Sequence, residues 1–232
     1  MTEKIQLKKS GINAITSPFR WIIITGIVYF IASGTIEIFR VWLYIGFYTV
    51  GSIICGTILL KKAPDLLNQR GKMQEGTKKW DMILVLAYFL FAIIINPLVA
   101  GLDYRFKMSS LPFNYTYIGM GFYFLSALLT IWPMLHNPFF EGTVRIQKDR
   151  GHKVVAAGPY RIVRHPGYSG MLIGSLPIPF AFGSVYSFIP VSIMILLVFV
   201  RTFYEDKTLQ NELEGYRDYC QKVKYRLIPF LW

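Results

Sequence analysis

Four long apolar runs occupy most of the first 135 residues of this chain. They extend over residues 21–36, 41–60, 82–102 and 115–135. A helix needs about 20 apolar residues to cross the hydrocarbon core of a bilayer, and only a helix satisfies its backbone within one segment there. Only 16% of the residues are charged, whereas soluble domains carry about 25%. The sequence therefore predicts an all-α, polytopic membrane protein.

The basic residues are distributed unevenly between the predicted loops. The net charge of +12 is of a size that can indicate binding to nucleic acid. However, if the N-terminus faces the cytoplasm, 22 of the 25 Lys and Arg residues lie on the cytoplasmic side, and only Arg40, Arg105 and Lys107 lie outside. This is the positive-inside distribution. We therefore expect no nucleic-acid partner, and an integral, multi-pass protein with both termini in the cytoplasm.

The first apolar run has some features of a cleavable signal peptide. It follows Lys4, Lys8 and Lys9, and it ends near the small residues 32–34. We interpret it instead as a retained first spanning helix.

The apolar stretch of residues 171–200 is long for one span and short for two. As a single span it would place the basic C-terminal tail outside, against the charge distribution. Three prolines and Gly183 favour an interruption. We therefore expect a short helical hairpin that turns near residues 183–187. Its second helix continues out of the bilayer into the cytoplasm and ends before Gly215.

The chain is predicted to have two parts. Residues 1–135 form four full transmembrane helices. Residues 136–232 form a cytoplasmic loop, the hairpin and the cytoplasmic C-terminal helices, and this second part holds the candidate binding and catalytic residues.

The segment of residues 158–170 is rich in Gly, Pro, Arg, His and Tyr. Its prolines and glycines prevent a continuous helix, so backbone N–H groups stay free to bind a ligand. Arg164 and His165 offer hydrogen-bond donors for an anionic group. A basic loop with tyrosines can equally be a membrane anchor at the headgroups, so both interpretations remain open at this point.

Two further pairs of residues also allow two interpretations each. Gly170 and Gly174 form a GxxxG pair, which is typical of close helix packing in lipid and would also let a flat ligand approach the backbone. Arg201 and Glu205 are four residues apart, on one face of the helix that leaves the bilayer. They form either an interfacial ion pair or a functional site, because ionisable groups at membrane depth usually face a cavity.

These segments, in this order, resemble the isoprenylcysteine carboxyl methyltransferase family and its bacterial relatives. The resemblance covers about residues 141–232. It rests on an ordered set of short motifs: Gly158-Pro159-Tyr160-Arg161, Arg164-His165-Pro166, Tyr168, Gly170, Arg201, Glu205, Leu209, Gly215, Tyr216, Tyr219 and Ile228-Pro229. Relatives often have two adjacent glutamates where this chain has Glu205-Asp206.

The resemblance implies a methyltransferase that uses S-adenosylmethionine, releases S-adenosylhomocysteine and needs no metal. Its acceptor would be a membrane lipid or a lipid-linked group: a prenylcysteine carboxylate, or another lipid-linked carboxylate, amine or thiol. Arg201 would orient a carboxylate acceptor, or Glu205 would take the proton from a thiol or amine. The residues that the resemblance assigns to cofactor binding are Tyr160, Arg164, His165, Pro166, Tyr168, Gly170, Tyr216 and Tyr219.

Two other functions are compatible with parts of the sequence. NADPH-dependent membrane sterol and isoprenoid reductases end in a similar way to residues 219–229 of this chain, but in them Asn tends to follow shortly after the loop His. In this chain His165 is followed directly by Pro166, which favours methyl transfer. A transporter or scaffold is the third alternative, although no inverted repeat is visible.

Overall fold

The computed structural model describes residues 6–72 and 74–232. Within these residues every regular element is a helix and no β-strand occurs, which confirms the all-α class. Lys4, one of the basic residues placed before the first span, lies outside the described residues.

Long helices account for most of the first 136 residues. The elements in chain order are α1 (Lys9–Ser33), α2 (Phe39–Lys62), the short α3 (Pro64–Arg70), α4 (Lys79–Leu90), α5 (Asn96–Phe106) and α6 (Tyr115–His136). A π-helical turn over Phe91–Ile95 joins α4 and α5 into one continuous helix. The predicted third span is therefore one helix with a single widened turn.

The C-terminal part consists of an irregular segment and four helices. These are α7 (Pro166–Gly174), α8 (Pro177–Phe182), α9 (Phe188–Glu212) and α10 (Tyr216–Lys222). The turn between α8 and α9 lies at the predicted place, because Gly183 ends α8 with a left-handed φ of 80°.

Five helices of the described chain are long and apolar enough to cross a membrane: α1, α2, the joined α4–α5 helix, α6 and α9. The predicted count of four full spans plus a short hairpin is not confirmed, because α9 has 25 residues. The other limb of the hairpin, α7 and α8, is short and interrupted near Ser175. The hairpin is therefore asymmetric.

Helix α1 begins twelve residues before the apolar run that predicted it. Pro18 lies inside it and has no N–H to donate to the carbonyl of Ala14. The hydroxyl of Ser17 donates to that carbonyl instead, at 2.9 Å. The Ser17 hydroxyl thus takes the place of the missing N–H, and the helix continues past Pro18.

The outward face of α1 shows the environment for which the helices are built. Ile23, Ile27 and Ile31, spaced four residues apart, are 53–73% exposed, while Tyr29 is fully buried on the opposite face. A continuous apolar stripe of this kind is stable against lipid chains and costly in water.

Charged side chains on α2 and α5 hold the turn of the hairpin between α8 and α9. The guanidinium of Arg40 donates to the carbonyls of Phe180 and Ala181 at 3.0 and 2.9 Å. The carboxylate of Asp103 accepts a hydrogen bond from the hydroxyl of Ser184. These bonds satisfy carbonyls at the end of α8 and connect the hairpin turn to α2 and α5.

The predicted GxxxG pair packs against α6. A Cβ atom at Gly170 would collide with Thr130, and one at Gly174 would collide with Ser126. The hydroxyl of Ser126 donates to the carbonyl of Gly170 at 2.9 Å. Of the two interpretations of this pair, the contacts therefore support close helix packing.

Candidate active site

A cavity of about 850 Å³ lies between the bundle and the C-terminal segments. One part of its lining is polar and includes Arg201 and Glu205. The lining continues between α1, α2 and α6, where apolar and aromatic side chains predominate and include Trp21, Tyr48 and Tyr123. Cofactor and small-ligand sites have volumes of about 300–1,000 Å³, so the cavity can hold a ligand with a polar and an apolar part.

Asp206 is the centre of a buried cluster behind the polar end of the cavity. Its side chain is 1% exposed. Arg164 donates to both of its oxygens at 2.8 and 3.1 Å, and Arg226 donates at 2.9 Å. The hydroxyl of Tyr216 donates to it at 3.0 Å, and His165 Nε2 lies 3.1 Å away. The carboxylate is thus surrounded by donors from the chain itself.

Arg164 also holds the C-terminal segment. Its guanidinium donates to the carbonyls of Val223 and Lys224 at 2.8 and 2.9 Å, and its backbone N–H donates to the carbonyl of Tyr225 at 2.9 Å. The resemblance implies that Arg164 helps to bind the cofactor or a substrate carboxylate. In the structure four of its hydrogen bonds go to acceptors within the chain.

Arg201 pairs with a carboxylate that no sequence motif marks. Its Nε donates to Asp81 on α4 at 2.6 Å, and Asp81 is fully buried. The Nη2 atom donates to the carbonyl of Gly142 at 2.9 Å. Among the described residues, the only hydrogen-bond acceptor of the Nη1 atom is the thioether of Met171, at 3.7 Å. Arg201 therefore pairs with Asp81 and not with Glu205. Its Nη1 atom keeps N–H groups that can bind another acceptor.

Tyr168 links Arg201 to Glu205 across the cavity wall. The guanidinium carbon of Arg201 lies 4.8 Å from the centre of the Tyr168 ring, and the Tyr168 hydroxyl donates to one oxygen of Glu205. The other oxygen of Glu205 accepts no hydrogen bond from any residue that the structure describes. All three side chains line the cavity, so they present an unused donor and an unused acceptor to it.

Three tyrosines close the cavity on the side of α10. The hydroxyl of Tyr219 donates to the carbonyl of Tyr160 at 2.6 Å, and Asn137 donates to the Tyr160 hydroxyl at 3.0 Å. Burial raises the pKa of Tyr160, Tyr216 and Tyr219 above the ordinary value. These residues are therefore neutral hydrogen-bonding groups at physiological pH.

The cavity brings together eight of the ten site residues expected from the sequence: Tyr160, Arg164, His165, Tyr168, Arg201, Glu205, Tyr216 and Tyr219. Pro166 and Gly170 are absent from its lining. Pro166 is the buried first residue of α7, where its missing N–H costs nothing. Gly170 faces α6. The roles assigned to these ten residues remain predictions.

Several polar residues that shape the site were not among those expected from the sequence. Asp81 sits in the first turn of α4, and an acid at the start of an apolar helix was the available signal. Asp206 stood out only as a variation beside Glu205. Arg70, at the end of α3, donates to the carbonyls of Phe140 and Glu141 at 2.9 and 3.1 Å and lines the cavity. No motif of its own marks it.

Comparison with known families agrees with the expected resemblance. Residues 117–211 match the sequence model of the isoprenylcysteine carboxyl methyltransferase family, which confirms the resemblance over the shared residues 141–211. The match begins within α6, earlier than expected, and stops before α10. The residues after 211 are thus not part of it.

Individual proteins are similar over the same part of the chain. A probable protein-S-isoprenylcysteine O-methyltransferase of Oryza sativa subsp. japonica is 30% identical over 94 residues, 40% of this chain and 49% of that protein. Protein-S-isoprenylcysteine O-methyltransferase B of Arabidopsis thaliana is 33% identical over 94 residues, 40% of this chain and 47% of that protein. A delta(14)-sterol reductase of Mus musculus is 30% identical over 100 residues, 41% of this chain and 24% of that protein. The matched segment thus spans about half the length of these plant relatives.

Proposed function

We propose that this protein is an S-adenosylmethionine-dependent methyltransferase of the membrane whose acceptor carries a lipid or isoprenoid chain. The observation that carries the proposal is one continuous cavity. Its polar wall contains Tyr168, Arg201 and Glu205, which lie inside the segment that matches the methyltransferase family. Its aromatic part lies between helices long enough to span a bilayer.

The side chains in the cavity fit this cofactor. The tyrosine ring faces suit a cationic sulfonium or ammonium group, and the remaining N–H groups of Arg201 suit a carboxylate. What S-adenosylmethionine supplies when bound is a methyl group that is already activated on a positively charged sulfur. The protein is then required chiefly to align the two reactants and to exclude water.

The chemical class of the acceptor decides what Arg201 and Glu205 do. A carboxylate has no proton to lose at neutral pH, so Arg201 orients it with the N–H groups that Asp81 and Gly142 leave unused. A thiol or an amine must lose a proton, and the unused oxygen of Glu205 accepts it.

A series of acceptors with one head group and increasing tail length tests the lipid part of the proposal. Each buried methylene contributes about 0.8 kcal/mol, so kcat/KM measured well below saturation rises by up to about fourfold per methylene before it levels off. The aromatic part of the cavity is where the tail binds. A flat series, or a maximum for the tail-free molecule, would favour a small water-soluble thiol.

Reduction of a sterol or isoprenoid with NADPH is the second candidate function. The similarity to the mouse sterol reductase over 41% of this chain favours it, as does the C-terminal Tyr219-Cys220 pair. A thermal-shift measurement on the purified protein separates the candidates. S-adenosylhomocysteine raises the melting temperature of a methyltransferase, NADPH raises that of a reductase, and neither affects a transporter or scaffold.

The orientation that we propose places both termini in the cytoplasm. The test uses a cysteine-free background with single cysteines at two exposed positions, Ser110 and Asn211. On intact cells an impermeant maleimide is expected to label the cysteine at position 110 and not the one at 211. The opposite pattern would invert the topology.

A further inference from the structure

Four arginines line the polar end of the cavity, and Arg70 differs from the other three in its hydrogen-bond and ion-pair partners. Arg145, Arg164 and Arg201 each pair with a carboxylate, at 2.8, 2.8 and 2.6 Å respectively. Arg70 is half-buried, and no carboxylate of the described residues lies within salt-bridge distance of it. Among these four arginines, Arg70 is thus the one without a carboxylate partner in the described part of the chain.

The backbone around residue 140 places Arg70 next to Arg201. Arg70 Nη1 donates to the carbonyls of Phe140 and Glu141, and Arg201 Nη2 donates to the carbonyl of the next residue, Gly142. Arg70 and Arg201 are far apart in the sequence, but their guanidinium groups bind the carbonyls of three consecutive residues and therefore lie close together. Their closeness is also visible in the pKa of Arg70, which burial and then the charge of Arg201 lower to about 10.

Both groups have donors to spare on the cavity side. The Nε and Nη2 atoms of Arg70 have no acceptor among the described residues, and Nη1 of Arg201 has only the thioether of Met171. A partly desolvated guanidinium without a counter-ion is unfavourable, so an anion at this position would stabilise the site. The planar fork of a guanidinium matches a carboxylate especially well.

Helix α3 holds Arg70 in this position. Gly71, the residue that follows, is pressed against the backbone of Ser10 on α1, where any Cβ atom would collide. Asn68 accepts a hydrogen bond from the backbone N–H of Lys8 at 2.8 Å. The guanidinium itself rests on the ring of Phe140, at 5.1 Å. Arg70 is thus anchored and is not a mobile surface side chain.

We propose that Arg70 and Arg201 together bind a carboxylate in the cavity, with Arg70 supplying a positive charge that has no ion-pair partner among the described residues. Arg70 lies outside the segment that matches the methyltransferase family, and this role gives the loop between α2 and α4 a part in the site. The inference rests on the proposed function, which offers two sources of a carboxylate: the acceptor, and the amino-acid portion of S-adenosylmethionine.

The experiment compares ligands with and without the carboxylate. One pair is S-adenosylhomocysteine and 5′-methylthioadenosine, which lacks the amino-acid portion. The other pair is an S-prenylated cysteine with a free carboxylate and its methyl ester. Equilibrium dissociation constants are measured for the wild-type protein and for Arg70→Met, which removes the charge and keeps an apolar stem.

Arg150 provides the matched control. It also donates to a loop carbonyl, Pro138 at 2.9 Å, and rests on an aromatic ring, Phe139 at 5.6 Å. It pairs with Asp65 at 2.9 Å, and it does not line the cavity. Arg150→Met is therefore expected to leave all four dissociation constants unchanged.

The expected result is a loss of at least about tenfold in affinity, or 1.4 kcal/mol, for the carboxylate-bearing member of one pair only. A loss for S-adenosylhomocysteine assigns the site to the cofactor, and a loss for the free prenylcysteine assigns it to the acceptor. Arg70→Lys keeps the charge without the planar fork and is expected to retain part of the affinity. It also reports on the site if Arg70→Met folds poorly.

Two results would overturn the inference. One is that Arg70→Met and Arg150→Met change the four dissociation constants to the same extent. The other is that Arg70→Met and Arg70→Lys weaken both members of each pair equally, as a general disturbance of the cavity would. If the wild-type protein binds no S-adenosylhomocysteine at all, the proposed function fails and this inference fails with it.

Discussion

Glu205 and Asp206 are adjacent carboxylates on α9, yet they lie in two regions with opposite properties. Successive residues of a helix point about 100° apart, so Asp206 faces the C-terminal segment and Glu205 faces the cavity. Asp206 accepts bonds from Arg164, Arg226 and Tyr216 and is almost fully buried. Glu205 is half-buried and has one donor, Tyr168, among the described residues.

The difference teaches how to separate a structural ion pair from a functional one. A buried carboxylate whose oxygens are all occupied stabilises the fold and has no capacity left for a ligand. A carboxylate that keeps an unused oxygen at a cavity wall can bind or accept a proton. The same criterion separates Arg164, which binds four acceptors within the chain, from Arg201, which keeps one nitrogen for the cavity.

The largest expected effect is on stability and concerns the Asp206 cluster. Asp206→Asn leaves two arginines without their carboxylate, and breaking a buried pair costs about 3–5 kcal/mol. We expect the free energy of unfolding in detergent to fall by that amount. Asp218→Asn, which changes an exposed carboxylate on α10, is the control and costs less than about 0.5 kcal/mol. Equal stability of the two variants would remove the structural role that we assign to Asp206.

For Glu205, the neighbouring carboxylate, we expect a loss of activity without a loss of stability. Glu205→Gln keeps an acceptor for the Tyr168 hydroxyl and removes the charge at the cavity wall. With a thiol or amine acceptor, we expect kcat/KM to fall by at least about tenfold, or 1.4 kcal/mol, while melting temperature and S-adenosylhomocysteine affinity stay close to wild type. Glu212→Gln, at a surface pair with Lys78, is the control for kcat/KM. A destabilised protein with normal specific activity would show that Glu205 is structural as well.

The smallest expected effect concerns the hydrogen bond between Tyr168 and Glu205. Tyr168→Phe removes the hydroxyl and keeps the ring beneath Arg201. A typical hydrogen bond contributes about 0.5–1.5 kcal/mol, so we expect kcat/KM to fall by about two- to tenfold. Tyr204→Phe, on the exposed side of α9, is expected to change nothing. If the two variants have the same kcat/KM, the Tyr168 hydroxyl does not position Glu205.

The sequence was sufficient for the features that depend on local chemistry. Apolar run length predicted the long helices, and Gly183 with its neighbouring prolines predicted the turn of the hairpin. The ordered motifs around His165 and Arg201 predicted the resemblance that the family comparison confirms over residues 141–211.

The partners of those motifs could not be predicted, because they come from distant segments. Asp81 lies 120 residues from Arg201 and meets it only when α4 packs beside α9. Asp206 is buried and fully hydrogen-bonded while Glu205 is not, because the C-terminal segment covers only the side of α9 that carries Asp206. Arg70 acquires its position from α3, a short helix in a loop that had no recognisable motif.

Transfer of a labelled methyl group tests the central claim most directly. Purified wild-type protein is incubated with S-adenosylmethionine labelled on its methyl group and with an S-prenylated cysteine, and the lipid fraction is counted before and after treatment with mild base. We expect label in the lipid fraction as a base-labile methyl ester, and at least about tenfold less with Arg201→Ala or Arg70→Met than with wild type. If no label reaches the acceptor while NADPH is oxidised by the same protein in the presence of a sterol, the cavity belongs to a reductase and the proposed methyl transfer is wrong.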